Sequence, residues 1–230
     1  MRINKYLASS GVCSRRQADV LIAQGKVFIN KVLAQMGSDV EATDVVTVDK
    51  KIIKLTKNLV YLAYYKPVGV ICTADPKSPN NIIDSLNYPV RVFPVGRLDV
   101  ASSGLIILTN DGDFAQKIAH PKFKQKKEYE AELSSPADEK LADRLLVGVR
   151  LTEGVAKADY VKKVTPTKYR LIIHQGWNRQ VRRMFSELGS EIISLIRTRI
   201  GPIDLANLRP GQFRELKKNE VDELLRNNEK

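Results

Sequence analysis

The spacing of apolar residues divides the chain into a short N-terminal stretch and a longer mixed one. Ile3 and Leu7 recur at helical spacing within Ile3 to Ser9, and Gly11 ends that run. Ser14 has the character of an N-cap, with Gln17 three residues on as in a capping box. The helix that follows places Ala18, Leu21 and Ile22 on one face and stops at Gly25. Short β-like segments come next, Val27 to Ile29 and Val45 to Val48, punctuated by Gly37 and Asp44. Residues 50–58 read as a strand end and linker. A first domain is therefore expected over residues 1–58 and a second over 59–230.

The second stretch mixes strands and helices. Val60 to Tyr65 reads as a strand ended by Lys66-Pro67, and Val68 to Thr73 continues it across Gly69. Asn81 to Leu86 fits a short helix. Gly104 to Thr109 is an apolar strand, and Asn110-Asp111-Gly112 is a turn signal before a helix over Asp113 to Ala119. Tyr129 to Leu133 reads as a strand and Ala137 to Val147 as a helix. Tyr160 to Val164 and Tyr169 to Ile173 form an antiparallel pair around Pro166. Asn178 caps a helix running to Leu188, Ile192 to Arg197 is a strand, and a last helix lies around Glu220 to Leu225. Regular βαβ spacing is missing, so the expected class is α+β with a mostly antiparallel sheet flanked by helices.

Charge changes what this pattern means. Lys and Arg number 38 against 26 Asp and Glu, a net charge of +12. Such a field attracts polyanions, nucleic acid first; a solubilising surface or a membrane-facing basic patch is the plainer alternative. Residues 1–36 hold Arg2, Lys5, Arg15, Arg16, Lys26 and Lys31 against one acid, Asp19. Arg15 and Arg16 fall in the first turn of the second helix, where free N–H groups and the helix dipole already favour anions. An ordinary solvated face is the simpler reading of the same charges.

Hydrophobic residues make up 43% of the chain, enough for a core and against wholesale disorder. Two cysteines, Cys13 and Cys72, cannot build a disulfide framework, so a reduced cytoplasmic setting is expected. Neither they nor His120 and His174 have metal-site spacing. No metal is expected, and a metal-dependent nuclease is poorly supported. The residues after Met1 show no apolar signal-peptide core, and no stretch is apolar enough to span a membrane.

Three places carry candidate chemistry. In Phe93-Pro94-Val95-Gly96-Arg97-Leu98-Asp99, two charged residues interrupt an apolar run. Asp99 is a candidate nucleophile or base. By spacing alone the simpler reading is that Arg97 and Asp99 pair to brace a loop. In Trp177 to Leu188, Val181, Met184, Phe185 and Leu188 share a face, which leaves Arg179 and Arg183 pointing away toward solvent or phosphates. Arg182 lies on the flank, where its guanidinium can reach a partly buried acid. In Lys126-Lys127-Glu128-Tyr129-Glu130, a ring among charges is placed to stack on a base, although packing on neighbouring strands is the commoner role.

These motifs together resemble one family. Gly96-Arg97-Leu98-Asp99 resembles the catalytic motif of the RsuA/RluB/RluF-like ribosomal-RNA pseudouridine synthases. Lys66-Pro67-x-Gly69, Lys127-x-Tyr129, Asn178-Arg179-Gln180-Val181-Arg182-Arg183-Met184, Ile200-Gly201 and Leu208-x-Pro210-Gly211 resemble its other motifs, in order. Residues 1 to about 50 resemble an S4 RNA-binding domain through Ser14-Arg15-Arg16-Gln17-Ala18 and Leu21-Ile22-x-x-Gly25-x-Val27. Two departures stand out. Asn30 is followed by Lys31 where the family has glycine, and lysine suits a left-handed turn poorly, so that loop is expected to differ in shape. Gln175-Gly176 replaces the usual Glu-Gly, which resembles the large-subunit RluF-like branch, as do Asn4-Lys5-Tyr6 and Val27-Phe28-Ile29-Asn30.

The resemblance implies a pseudouridine synthase catalytic domain behind an S4 domain, acting on ribosomal RNA or an assembling ribosomal subunit as a monomer, with no cofactor. Asp99 would be the nucleophile. Tyr129 would stack on the flipped uracil and take the C5 proton, and Arg182 would pair with Asp99. Arg97 would help hold the extruded nucleotide. Arg2, Lys5, Arg15, Arg16, Lys26 and Asn30 would face RNA, as would Lys66, Arg179 and Arg183. The target implied is large-subunit 23S rRNA, with a small-subunit or tRNA uridine as the alternative. Two rivals remain: a catalytically silent RNA-binding assembly factor, and a hydrolase. A hydrolase usually calls for two cooperating carboxylates, and Asp111 and Asp113 read better as helix caps.

Overall fold

The computed structural model describes residues 1–56 and 58–226; Lys57, in the expected linker, lies outside them. The chain forms two compact units. The first is Met1–Val60 with the pieces Pro89–Arg91 and Asn110–Gly112, and the second is the remainder.

In the first unit, helices α1 (Ile3–Ser9) and α2 (Arg15–Ala23) are followed by strands β1 (Val27–Ile29), β2 (Val32–Leu33), β3 (Val46–Val48) and β4 (Lys51–Ile53). The strands lie in the order β2-β1-β3-β4, antiparallel throughout. Ser14 caps α2 by accepting the Gln17 N–H at 3.2 Å. Ile3, Leu7, Ala18, Ile22, Val27 and Val46 form the core, with Leu21 at its margin. The β1–β2 turn is Asn30-Lys31, at φ +50° and +69°. Those are the left-handed positions of a type I′ turn, so the hairpin forms despite Lys31. Asn30 braces it, donating from Nδ2 to Asp44 at 2.7 Å and accepting the Val45 N–H at 2.9 Å.

The second unit runs β5 (Tyr61–Lys66), α3 (Ile82–Leu86), β6 (Phe93–Val95), β7 (Ser103–Thr109), α4 (Gly112–Ala119), β8 (Lys127–Leu133), α5 (Leu141–Val147), β9 (Val149–Leu151), β10 (Gly154–Ala156), β11 (Tyr160–Lys163), β12 (Lys168–Ile173), α6 (Gln180–Glu187), β13 (Ile192–Ile200), β14 (Ile203–Asp204), β15 (Phe213–Glu215) and α7 (Lys218–Arg226). A nine-stranded sheet has the path β11-β12-β8-β13-β7-β5-β15, with β14 on β13 and β6 on β7. Within it only β7 and β13 run parallel, so the sheet is mostly antiparallel as the patterning requires. Every residue of β7 is buried, which marks it as the strand covered on both faces. On one face Leu105 and Ile107 pack with Phe114 and Ile118 of α4 and Val221 and Leu224 of α7.

Two expectations from the sequence fail locally. Val68 to Thr73 is not a strand, because Pro67 and Gly69, at φ +87°, turn the chain out of the sheet; only an isolated bridge joins Ile71 to Asn81. Asn178 does not cap α6. The N-cap is Arg179, held at φ +48° with no side-chain cap bond.

Candidate active site

Asp99 sits in the connection between β6 and β7. The Ser102 N–H donates to the Asp99 carbonyl at 3.0 Å, closing a turn. The flanks of that turn are tied to the segment after β5, since Leu98 N–H donates to Cys72 Sγ at 3.3 Å and Gly69 N–H to the Val100 carbonyl at 2.8 Å. The backbone is thereby clamped on both sides of a half-buried side chain. Among the described residues the carboxylate has no hydrogen-bonding or ion-pair partner, and it faces a cavity of about 390 Å³. That volume suits a nucleobase with part of its sugar.

Tyr129 lines the same cavity from β8 and is only 8% exposed. Lys127 precedes it by two positions and so leaves the strand on the same face. Arg197 of β13 is the direct cross-strand partner of Tyr129 and shares that face too. The strands can close around Arg197 because its parallel partner on β7 is Gly104, where a Cβ would collide with the Arg197 backbone. Trp177, His174 and Gln125 complete the wall. His174 Nδ1 contacts both carboxylate oxygens of Asp159, at 2.8 and 2.9 Å.

The structure redistributes the arginine roles read from the sequence. Arg97 and Asp99 do not form an ion pair, and Arg97 is exposed at the cavity rim. Arg182 does not pair with Asp99 either. Its Nη1 donates to the Ile192 carbonyl and its Nη2 to the Ala101 carbonyl, both at 2.9 Å, with the Ser102 hydroxyl at 3.5 Å. The α6 flank aims the guanidinium at the backbone of the Asp99 turn, so Arg182 braces the turn while remaining within electrostatic reach of the acid. Burial pushes Arg182 below the ordinary arginine value, the Arg179 charge adds to this, and Asp99 opposes it.

Arg183 is a correction of another kind. It forms a two-pronged ion pair with Glu153, at 2.7 and 2.8 Å, and donates from Nε to the Asn178 carbonyl at 2.8 Å. The bonds from Arg183 hold the Glu153 carboxyl down at about 2. Its charge is compensated within the protein and is not held out for phosphate. Lys66 is corrected as well. It is fully buried, and its Nζ donates to the Pro67 and Val70 carbonyls at 2.7 and 2.9 Å. Burial lowers its affinity for the proton, against the opposing pull of Cys72 and Asp99. It pins the turn after β5 and offers RNA no surface. Arg179 keeps an outward position, exposed at the α6 N-cap and lining the cavity.

In the first unit Arg15, Arg16 and Lys26 are exposed and Lys5 is half-buried. Arg2 is exposed but paired with Asp39 at 2.9 Å. Asn30 is committed to its own hairpin, which weakens its case as an RNA contact.

Sequence reasoning overlooked Gln125 and Arg197 and gave Lys127 no task. A signal existed for two of them. Lys127 follows from alternation with Tyr129, and Arg197 is one of two arginines, with Arg199, in the largely apolar stretch Ile192 to Ile200. Among the described residues no group of three or more His, Cys, Asp or Glu side chains could hold a metal ion. No helix there is long and apolar enough to cross a membrane.

A carboxylate, an aromatic ring and the arginines Arg97 and Arg179 line one cavity, an arrangement suited to chemistry on a nucleotide. The chain belongs to the RNA pseudouridylate synthase family, whose profile matches residues 60–187, and an S4 domain profile matches residues 1–46. It is 40% identical over 228 residues to the dual-specificity RNA pseudouridine synthase RluF of Escherichia coli K12, covering 98% of this chain and 79% of that one. It is also 40% identical over 232 residues to the ribosomal large subunit pseudouridine synthase B of Bacillus subtilis, covering 97% and 95%. A crystal structure of a pseudouridylate synthase superposes with a TM-score of 0.71 at 27% identity, covering 97% of this chain and 99% of that one. The chain is therefore a pseudouridine synthase, and RNA is its partner.

Proposed function

We propose that the chain isomerises a specific uridine of ribosomal RNA, in the large-subunit 23S molecule, and that Asp99, Tyr129 and Arg182 carry the reaction. One observation supports this most: the Asp99 carboxylate is held by its clamped backbone, left open, and lines the same cavity as Tyr129. The N1–C1′ bond of the uridine breaks, the base turns, and C5 joins C1′; the C5 proton then leaves. Asp99 supplies the carboxylate at the sugar. Tyr129 packs against the extruded base, which offsets part of the few kcal/mol that unstacking costs, and accepts the C5 proton. Arg182 keeps the Asp99 turn in shape.

Residues 1–58 serve as the RNA-docking domain and 59–230 as the catalytic domain. Arg2, Lys5, Arg15, Arg16 and Lys26 bind phosphates in the first, and Arg97 and Arg179 do so at the cavity rim. The protein works in the cytoplasm as a monomer, on free rRNA or an assembling subunit, without a cofactor. The name of the Bacillus subtilis relative favours the large subunit. The Escherichia coli relative is called dual-specificity, which favours a second RNA target as the alternative.

The test is to delete the gene and map pseudouridines across both rRNAs and tRNA. One site in 23S rRNA is expected to disappear and to return with the wild-type gene but not with Asp99→Ala. Survival of every pseudouridine, with no isomerisation by the purified protein, would sink the proposal.

A further inference from the structure

The cavity that Asp99 lines also holds polar groups that the reaction as described does not use. Arg197 is 3% exposed. Its Nε donates to the Leu105 carbonyl at 2.7 Å and its Nη1 to the Arg97 carbonyl at 3.4 Å, which fixes the guanidinium plane. Its Nη2 is buried and has no partner. Gln125 is 5% exposed, and its Oε1 is likewise buried and unpartnered. Its Nε2 end lies over Gly201, where any Cβ would collide with it. Lys127 donates to the carbonyls of Gln125 at 2.9 Å and His174 at 3.3 Å, and an ammonium has one further N–H to give. All three residues are among those lining the cavity that Asp99 and Tyr129 also line.

A buried polar atom without a partner costs about 1–3 kcal/mol, so a ligand group that reaches Arg197 Nη2 or Gln125 Oε1 recovers that cost. Together the wall offers one acceptor and two donors. Uracil presents one N–H, at N3, and two carbonyl oxygens, at C2 and C4. We infer that Gln125, Lys127 and Arg197 read the hydrogen-bonding edge of the target base, with Gln125 accepting from N3–H while Lys127 and Arg197 donate to the two carbonyls. Cytosine fails at two of the three points, since its N3 is an acceptor and its C4 carries an amino donor. The same arrangement serves the isomerisation. Exchanging N1 for C5 is a half-turn about the axis through N3 and C6, which swaps the two carbonyls and leaves N3–H in place. A donor on each side of a central acceptor therefore fits the base before and after it turns. This assignment rests on the reading of the cavity as the uridine site.

The test compares binding of decauridylate, decacytidylate and N3-methylated decauridylate to the full chain by fluorescence anisotropy. The three carry equal numbers of phosphates, so the counterion contribution cancels. Wild type should prefer decauridylate over each of the others by about tenfold or more, the size expected from leaving a buried group unpaired. Gln125→Leu and Lys127→Met should bring that preference to within about twofold, and Lys127→Arg, which keeps a donor, should retain most of it. Equal binding of all three by wild type, which needs no variant to fold, would overturn the inference. So would a full preference in a natively melting Gln125→Leu. Isomerisation is scored separately: a protein that prefers decauridylate yet converts no uridine would retain the base reading and lose the enzymatic one.

Discussion

Arg197 stands directly opposite Tyr129 in the β8–β13 ladder, so both side chains enter the cavity from one face of the sheet. Tyr129 brings a ring and Arg197 a buried guanidinium, and the residue two before Tyr129 adds Lys127. The remaining partner, Asp99, comes from a separate loop held by backbone hydrogen bonds. Base reading and sugar chemistry therefore approach the nucleotide from different elements and should separate by mutation.

Removing the carboxylate tests the sugar side. Asp99→Ala should lower the isomerisation rate by about 10³-fold or more, with RNA affinity close to wild type. The Asp99 side chain makes no bond that the fold requires. Single-turnover conversion and filter binding on one preparation decide this; parallel loss of both would assign Asp99 a structural role.

The brace is tested by Arg182→Lys. An ammonium cannot span the Ala101 and Ile192 carbonyls as the guanidinium fork does. The rate should fall about 10- to 100-fold through kcat, with KM little changed and about 1–3 kcal/mol lost from stability by chemical denaturation. A pure KM effect would contradict a role in shaping the Asp99 turn.

Arginines on one helix segment should differ in their salt response. Arg179 is uncommitted at the rim, whereas Arg183 is tied to Glu153. Arg179→Ala should reduce the slope of log affinity against log salt by about 0.7–0.9, and Arg183→Ala should barely change it. Arg15→Ala combined with Arg16→Ala should reduce it by about twice as much as Arg179→Ala. Equal slopes for the Arg179 and Arg183 variants would erase the distinction.

Lys127 gives a pH signature. Burial and then the neighbouring Arg197 charge push it from 10.5 down to about 8. Arg197 faces it from β13, His174 from the residue that follows β12 and Tyr129 from its own strand, with Asp99 lining the same cavity. A neutral amine has two N–H groups, both engaged by carbonyls, so only the ammonium can donate to a base. The preference for decauridylate should therefore fall as pH rises through about 8, and Lys127→Arg should remove that fall. Fold stability moves the other way. The folded-state value lies below the unfolded one, so the penalty is full below about 8 and fades toward 10.5. Stability contributed by this group should rise over that interval, as denaturation midpoints across pH would show.

Much of the fold was legible in the chain. Helical spacing and caps placed α1 and α2, and a wholly apolar run marked β7. What local pattern missed was short or strained: β6, β9, β10, β14 and β15 span three residues or fewer, too few for a period to register. The Arg179 cap and Lys31 of the β1–β2 turn adopt left-handed backbone that side-chain type argues against.

For the site, the sequence by itself determined the chemical vocabulary. It held an acid in a glycine-containing loop, a tyrosine at a strand head and an arginine-rich helix, in an order that resembles one enzyme family. Only the tertiary structure decided which group faces which. It buried Lys66, tied Arg183 to Glu153, and turned Arg182 from partner of Asp99 into brace of its backbone. It also brought Gln125, Lys127 and Arg197 into one wall. The reason is that a hydrogen bond depends on directions within a few ångströms. Those are set by strand register and loop closure between residues far apart in the chain, such as Arg97 and Arg197, which no local pattern records.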